Sequence, residues 1–185
     1  MPFAVALFMD AGSSDAIRAA WRMVGATGLA RSMDEGDATP HLTLAICERL
    51  DVDAAARALA GFAAERAALP VMFSTVGAFP TDPTAVYLAP EPSSELLAAH
   101  RRVHDALTPL GEDFWRYYLP GLWSPHCTLA EGVPGRTVPK VIDACSGLTL
   151  PLRGSLDELG MVEFRPIHYL GRFRLAGWNG SEPAS

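Results

Sequence analysis

Positive charge is scarce in this chain. Lys140 is its one lysine among fifteen basic residues, set against 21 acidic ones, for a formal net charge of −6 and a pI near 5.3. A protein that grips a long nucleic acid by its backbone needs a broad basic surface to displace counterions, so that class is excluded and any phosphate site must be local. Its anion contacts must come from arginines, main-chain N–H groups, hydroxyls and histidines, an inventory suited to a small substrate. Cysteine is equally sparse: Cys47, Cys127 and Cys145 form an odd set without C-x-x-C spacing. That pattern argues against a disulfide frame or a zinc cluster and fits free buried thiols in a reducing compartment. The apolar opening from Met1 to Met9 lacks a basic leader and a cleavage site, and it meets Asp10 too early for a signal peptide or a spanning helix. It reads as a buried strand of a cytoplasmic, monomeric protein with no membrane partner.

What is present is an ordinary globular mixture, 49% apolar and 19% charged over 185 residues. One compact domain over 1–176, built of two related lobes, is the expectation, with 177–185 as a flexible C-terminal tail.

The run Phe3 to Met9 predicts a central strand, followed by a helix capped at Ser13 or Ser14 with Ile17, Ala20, Trp21 and Val24 on its buried side. Gly25 and Gly28 end it. A polar stretch from Arg31 to Thr39 leads to a strand over His41 to Ile46. An alanine-rich helix follows from Asp51 to Leu69, with Val52, Ala55, Leu59, Phe62 and Ala63 inward and Pro70 as its stop. Val71 to Phe79 and Ala85 to Ala89 read as strands joined by the turn residues Pro80 to Pro83. The second half repeats the grammar, with a helix capped at Ser93 or Ser94 and striped by Leu96, His100, Val103 and Leu107. An aromatic loop from Phe114 to Trp123 precedes a strand over His126 to Glu131. A short helix from Thr137 to Cys145 and strands over Leu148 to Leu152, Leu156 to Phe164 and Ile167 to Leu175 complete the chain. Tight turns between neighbouring strands are too short for parallel crossovers, so the fold class is α+β, with antiparallel strands lining a central cleft and helices outside.

Pro40-His41-Leu42-Thr43-Leu44-Ala45 recurs 85 residues on as Pro125-His126-Cys127-Thr128-Leu129-Ala130, differing at one position. Side chains alternate along a strand, so each copy presents its histidine and threonine on one face and its apolar residues on the other. Two such strands facing one groove make a seat for a phosphodiester. An imidazole titrates near pH ~6.5, so one ring can accept a proton while the other donates, without a metal or other cofactor. The threonine hydroxyls would hold the non-bridging oxygens as charge builds on them.

The doubled His-x-Thr resembles the 2H phosphoesterase superfamily, more narrowly the proteins called 2′-5′ RNA ligase-like or cyclic phosphodiesterases. The likeness extends through Ala6 to Asp10, the helix over Ile17 to Trp21, the helix over Leu96 to His100, and Tyr118 to Ala130. It implies a bilobal fold with pseudo-twofold symmetry and metal-independent action on 2′,3′-cyclic or 2′,5′-linked nucleotide or RNA-end phosphodiesters, with His41, Thr43, His126 and Thr128 as catalytic residues. Alternatives are a non-catalytic nucleotide-binding module and a 2′-5′ RNA ligase. The chain departs from the pattern in its shortage of lysine and in Glu131, where a basic residue would help hold phosphate.

Trp115, Tyr117 and Tyr118 are candidates for stacking on a base, and Arg116 and Arg136 for reaching the phosphate. The i, i+4 pair His100 and His104 has a metal-clamp spacing, but no glutamate follows His100 and the ring falls on the apolar stripe, so packing is the reading preferred. His168, in the last strand, is read as structural.

Overall fold

The computed structural model describes residues 1–34, 38–164 and 167–176. In chain order it contains β1 (Phe3–Met9), α1 (Ala11–Ala26), β2 (Arg31–Ser32), β3 (His41–Leu50), α2 (Val52–Ala64) and β4 (Leu69–Ala78). The same sequence of elements then repeats as β5 (Thr84–Pro90), α3 (Ser94–Leu107), β6 (Gly111–Phe114), β7 (Cys127–Val133), α4 (Val138–Ala144) and β8 (Leu152–Glu163), with β9 (His168–Arg174) added at the end.

All strands join one antiparallel sheet in the order β2-β7-β5-β4-β8-β1-β3-β6, with β9 paired to β8. Exchanging each strand for its counterpart in the other half returns the same order reversed, which is the pseudo-twofold relation expected of a duplication. The strands carrying the repeated motif, β7 and β3, lie second from either end. Each short edge strand comes from the opposite half: β2 pairs with β7, and β6 with β3. The helices cross over likewise, α1 packing against β7 and α3 against β3.

Alternation along the strands sorts side chains into two layers. On β1, Val5, Leu7 and Met9 enter the main core with Ile17, Trp21, Leu42, Leu59 and Leu129, while Ala6 and Phe8 join Val162 in a small cluster on the other face. The helices cover the first face. The second is left for the cleft.

Several boundaries differ from the sequence reading. Asp10, not a serine, caps α1: its carboxylate accepts from Ser13 N–H at 3.0 Å and Ser155 N–H at 2.6 Å, tying the helix start to β8. Burial opposes ionisation of Asp10, but these bonds and one from the Ser13 hydroxyl outweigh it and lower its pKa. Gly154 sits so close that a Cβ there would lie 2.3 Å from Ser13 Oγ. The second helix stops at Ala64, and Pro70 lies inside β4 rather than before it. At Pro70 the strand has β8 on one side only, the edge setting in which a residue without an N–H is tolerated. No strand spans Leu148 to Leu152; Leu148 N–H turns back to Cys145 O, Pro151 has no N–H to offer a ladder, and β8 starts at Leu152. His168 lies exposed at the start of β9, the last strand. The tail over 177–185 falls outside the described residues. Among the described residues no helix is long and apolar enough to cross a membrane.

Candidate active site

Both motif strands are interrupted at the same place. Val5 pairs with Ala45 and Ala6 with Thr43, so Leu44 is an extra residue on β3; Val86 pairs with Ala130 and Tyr87 with Thr128, so Leu129 is an extra residue on β7. A bulge re-aims the side chains beyond it. Leu44 and Ala45 are therefore both buried, as are Leu129 and Ala130, and the next residue, Ile46 or Glu131, turns onto the face that already holds the histidine and threonine.

That face lines a cleft of about 440 Å³, within the usual span of small-ligand sites. His41, Thr43, His126 and Thr128 all line it, so residues far apart in the chain converge on one space. Arg31 and Glu131 line one wall and form an ion pair. Trp115 and Ile46 occupy the corresponding place on the other side, Trp115 N–H donating to Ile46 O at 2.8 Å. Ala4, Ala6, Phe8, Val162, Phe164 and Tyr169 extend the cleft as an apolar surface beside His41.

The two imidazoles are oriented in the same way. His41 Nδ1 donates to Thr39 O at 2.6 Å, and His126 Nδ1 donates to Ser124 O at 2.7 Å, each reaching back across the intervening proline. A carbonyl can only accept, so Nδ1 carries the hydrogen and Nε2 remains for proton transfer. Rings pack around both: Phe8 edge-on to His41 at 6.0 Å, and Phe79 edge-on to His126 at 5.0 Å with Tyr87 at 5.5 Å. Burial lowers the pKa of both histidines. The neighbouring His126 lowers that of His41 further, while the Thr39 carbonyl and Glu131 work the other way without reversing it. Both rings therefore favour the neutral form. Cys127, between His126 and Thr128, points into the core, where burial pushes its thiol up to about 12 and leaves it unsuited to act as a nucleophile.

The threonines are held through their own carbonyls. Trp123 Nε1 donates to Thr43 O at 3.0 Å, and Trp21 Nε1, from α1, donates to Thr128 O at 2.9 Å. The bulge at Leu44 leaves its carbonyl for His104 Nε2 at 3.1 Å. His100 Nε2 donates to Tyr118 O at 2.8 Å, and the His100 ring stacks on Trp123 at 4.0 Å and 2°. Both α3 histidines are thus buried braces of the first motif, with Nε2 engaged as a donor and not offered to a metal. Among the described residues no group of three or more His, Cys, Asp or Glu could hold a metal ion.

Of the residues proposed from sequence to contact substrate, Trp115 and Tyr118 line the cleft. Arg116, Tyr117 and Arg136 are not among the lining residues and all are exposed, Tyr117 at 78%; Arg116 and Tyr117 share a 3-10 turn with Tyr118, which alone of the three lines the cleft. The sequence reading missed Arg31, Ile46 and Tyr169, and it took Glu131 as a gap in phosphate binding rather than as half of an ion pair. A strict two-residue alternation cannot find Ile46 or Glu131, because the bulges shift the register by one. The repeat itself held a usable signal, since positions 46 and 131 are 85 residues apart like the histidines.

Comparison with known proteins agrees with this geometry. Residues 13–166 match the family model described as the 2′-5′ RNA ligase superfamily. No match was found among curated proteins. Among solved structures the chain is similar to TT0787 of Thermus thermophilus, at 19% identity and TM-score 0.68, covering 97% of this chain and 100% of that one. It is also similar to Escherichia coli LigT, at 17% identity and TM-score 0.60 over 94% and 97% of the two chains. Usb1 of Kluyveromyces marxianus shares 12% identity at TM-score 0.53 over 91% and 97%. At such identities these likenesses speak for the fold.

Proposed function

Because the chain belongs to the 2′-5′ RNA ligase superfamily, whose family model spans most of its length, we propose that it is a phosphodiesterase using two histidines as acid and base. The substrate class we assign is a small 2′,3′-cyclic or 2′,5′-linked nucleotide or RNA-end phosphodiester. The observation that carries this reading is the pair of imidazoles in one cleft, each with Nδ1 committed to the carbonyl two residues earlier and Nε2 left to titrate. Solved structures of E. coli LigT complexed with ATP, NADP+, 3′-AMP and phosphate support a nucleotide-phosphate ligand for this fold.

In this mechanism one imidazole takes a proton from water as the oxygen attacks phosphorus, and the other protonates the ribose oxygen that departs in line. The hydroxyls of Thr43 and Thr128 donate to the non-bridging oxygens as they gain charge. Two neutral rings cannot both serve, so the substrate must help. A phosphodiester anion between them raises the affinity of one ring for a proton, countering the burial that favours its neutral form. Substrate binding thereby arms the acid. The two rings supply both proton transfers, so the chemistry needs no metal.

The test is turnover of a panel of 2′,3′-cyclic nucleotides and 2′,5′-linked oligonucleotides in the presence of a chelator. Hydrolysis abolished by His41→Ala and by His126→Ala is the expected result. Binding of the same ligands without conversion would replace the enzyme with a nucleotide-binding module, and loss of turnover on chelation would remove the metal-free mechanism.

A further inference from the structure

We propose that Arg31 and Glu131 form a charge filter in the cleft: Arg31 holds the single negative charge of a phosphodiester, and Glu131 rejects the second negative charge of a phosphomonoester. This rests on the diesterase reading above and adds a specificity determinant to it. Arg31 is the one arginine or lysine among the described residues that line the cleft, and Glu131 is the one carboxylate. The bulge at Leu129 puts Glu131 on the same face as His126 and Thr128, and the register of β2 on β7 sets Arg31 directly opposite it. Their side chains form an ion pair while 66% and 43% exposed. A pair that wet is held weakly and is easily exchanged, so the guanidinium can turn from Glu131 to an arriving phosphate.

Once Arg31 turns, Glu131 stands unpaired beside the bound anion. A diester carries one charge. Its hydrolysis product is a monoester whose second ionisation lies near pH ~6, so above neutrality the product bears close to two. The carboxylate then repels product more than substrate, favours re-pairing with Arg31, and speeds release. On the opposite wall the lining residues Trp115 and Ile46 carry no charge, and the nearest carboxylate there, Glu48, lies outside the lining and accepts from Trp115 Nε1 at 2.7 Å, so Glu131 is the carboxylate that faces the bound anion.

The experiment is calorimetric binding at pH 8 of a 2′-deoxynucleoside 3′-phosphate and of its monomethyl ester, which share every group except the second charge and the methyl. The native protein should bind the ester more tightly. Glu131→Gln should tighten the monoester roughly tenfold and change the ester far less, while Arg31→Gln should weaken the ester roughly tenfold. An unchanged ratio in Glu131→Gln, native-like ester binding in Arg31→Gln, or failure of both ligands to bind would each overturn the filter. Thermal melts of both variants check that the fold is retained. Because these ligands are read by binding, the result is separate from the turnover panel: hydrolysis with an unchanged ratio removes the filter alone, whereas the expected ratio without hydrolysis removes the enzyme alone.

Discussion

The two halves of this molecule agree in backbone and disagree in side chains. Each motif strand has the same bulge after its threonine, the same Nδ1 bond from histidine to the carbonyl two residues earlier, and an indole on its threonine carbonyl. One position past the shared Leu-Ala, the first half has Ile46 with Trp115 and the second has Glu131 with Arg31. Brace residues differ too: α3 supports β3 with His104 where α1 supports β7 with Trp21. Duplication supplied the frame that brings two imidazoles together, and divergence made their surroundings unequal. Acid–base catalysis by a pair needs that inequality, since one member must hold a proton while the other lacks it.

The strongest way to break the comparison is to delete one ring at a time. His41→Ala and His126→Ala should each lower kcat by about 10²–10⁴-fold, and the double variant should be little worse than either single one, because the rings act as a unit. Additive losses would show two independent sites. The pH profile sharpens the test: with both pKa values lowered by burial, kcat/KM for the native protein should peak on the acid side of the ordinary histidine value, and each single variant should lose one limb. An optimum on the alkaline side would contradict the environment described for the two rings.

The threonines come next. Thr43→Val and Thr128→Val keep a β-branched residue on the strand but remove a donor to the developing charge, and each should cost on the order of 10²-fold in kcat. Similar losses would show that the hydroxyls act as counterparts; a loss confined to one would show that the halves differ in function as well as in sequence.

Much of this was legible in the chain. The repeated Pro-His-x-Thr-Leu-Ala located both motif strands, and the stripes through Ile17, Trp21 and Val24 and through Leu96, Val103 and Leu107 located the helix faces that are buried. Periodicity reports burial, and these residues are buried. The remainder depended on pairing between distant strands. Which residue bulges is set by the partner strand, so Ile46 and Glu131 could not be assigned to the cleft from local alternation. Arg31 lies in a two-residue strand too short to show a period, and it acquires its place only by pairing with β7. Nearness to the second motif suggests Arg136, and neighbouring aromatics suggest Arg116 and Tyr117, but proximity in sequence does not say which side of a turn faces inward: on the Arg116–Tyr118 turn Tyr118 lines the cleft while Arg116 and Tyr117 are exposed.

The braces predict an unequal response to acid. Burial drives the pKa of His100 from the ordinary 6.5 down to about 4, the Tyr118 carbonyl opposing without cancelling it, and His104 is lowered for the same leading reason. Between those values the unfolded chain binds the proton that folded His100 refuses. Stability is therefore complete above pH 6.5 and falls as pH drops toward 4, by on the order of 3 kcal/mol from this residue. Trp21, on the corresponding face of α1, does not titrate in this range, so the first motif should loosen first in acid. Denaturant midpoints measured from pH 7 to pH 4 should show the decline, and a His100→Gln variant should flatten it; an equal slope in the variant would refute the assignment.

The smallest expected effect comes from two glycines that each lie under an aromatic ring beside a motif histidine. A Cβ at Gly160 would fall 2.0 Å from Phe8 Cε2, whereas one at Gly77 would meet the Tyr87 ring at 3.1 Å. Phe8 is 2% exposed, with the Arg172 guanidinium 4.5 Å from its ring centre and His41 edge-on, so it has little room to move. Tyr87 is only half-buried and can yield by a few tenths of an ångström. Gly160→Ala should therefore destabilise by about 1–3 kcal/mol through overpacking. In Gly77→Ala the ~0.5–1 kcal/mol regained by restricting a strand glycine should offset most of the contact. For a chain of this size the first corresponds to a fall in Tm of roughly 2–4 °C per kcal/mol, and the second should barely register. The same order should appear in turnover: both rings pack against a motif histidine, but the 2.0 Å overlap at Gly160 forces a larger shift of Phe8 against His41 than the 3.1 Å approach at Gly77 forces of Tyr87 against His126. A larger loss at Gly77 than at Gly160 would mean that the second half, for all its exposure, is the more tightly built of the two.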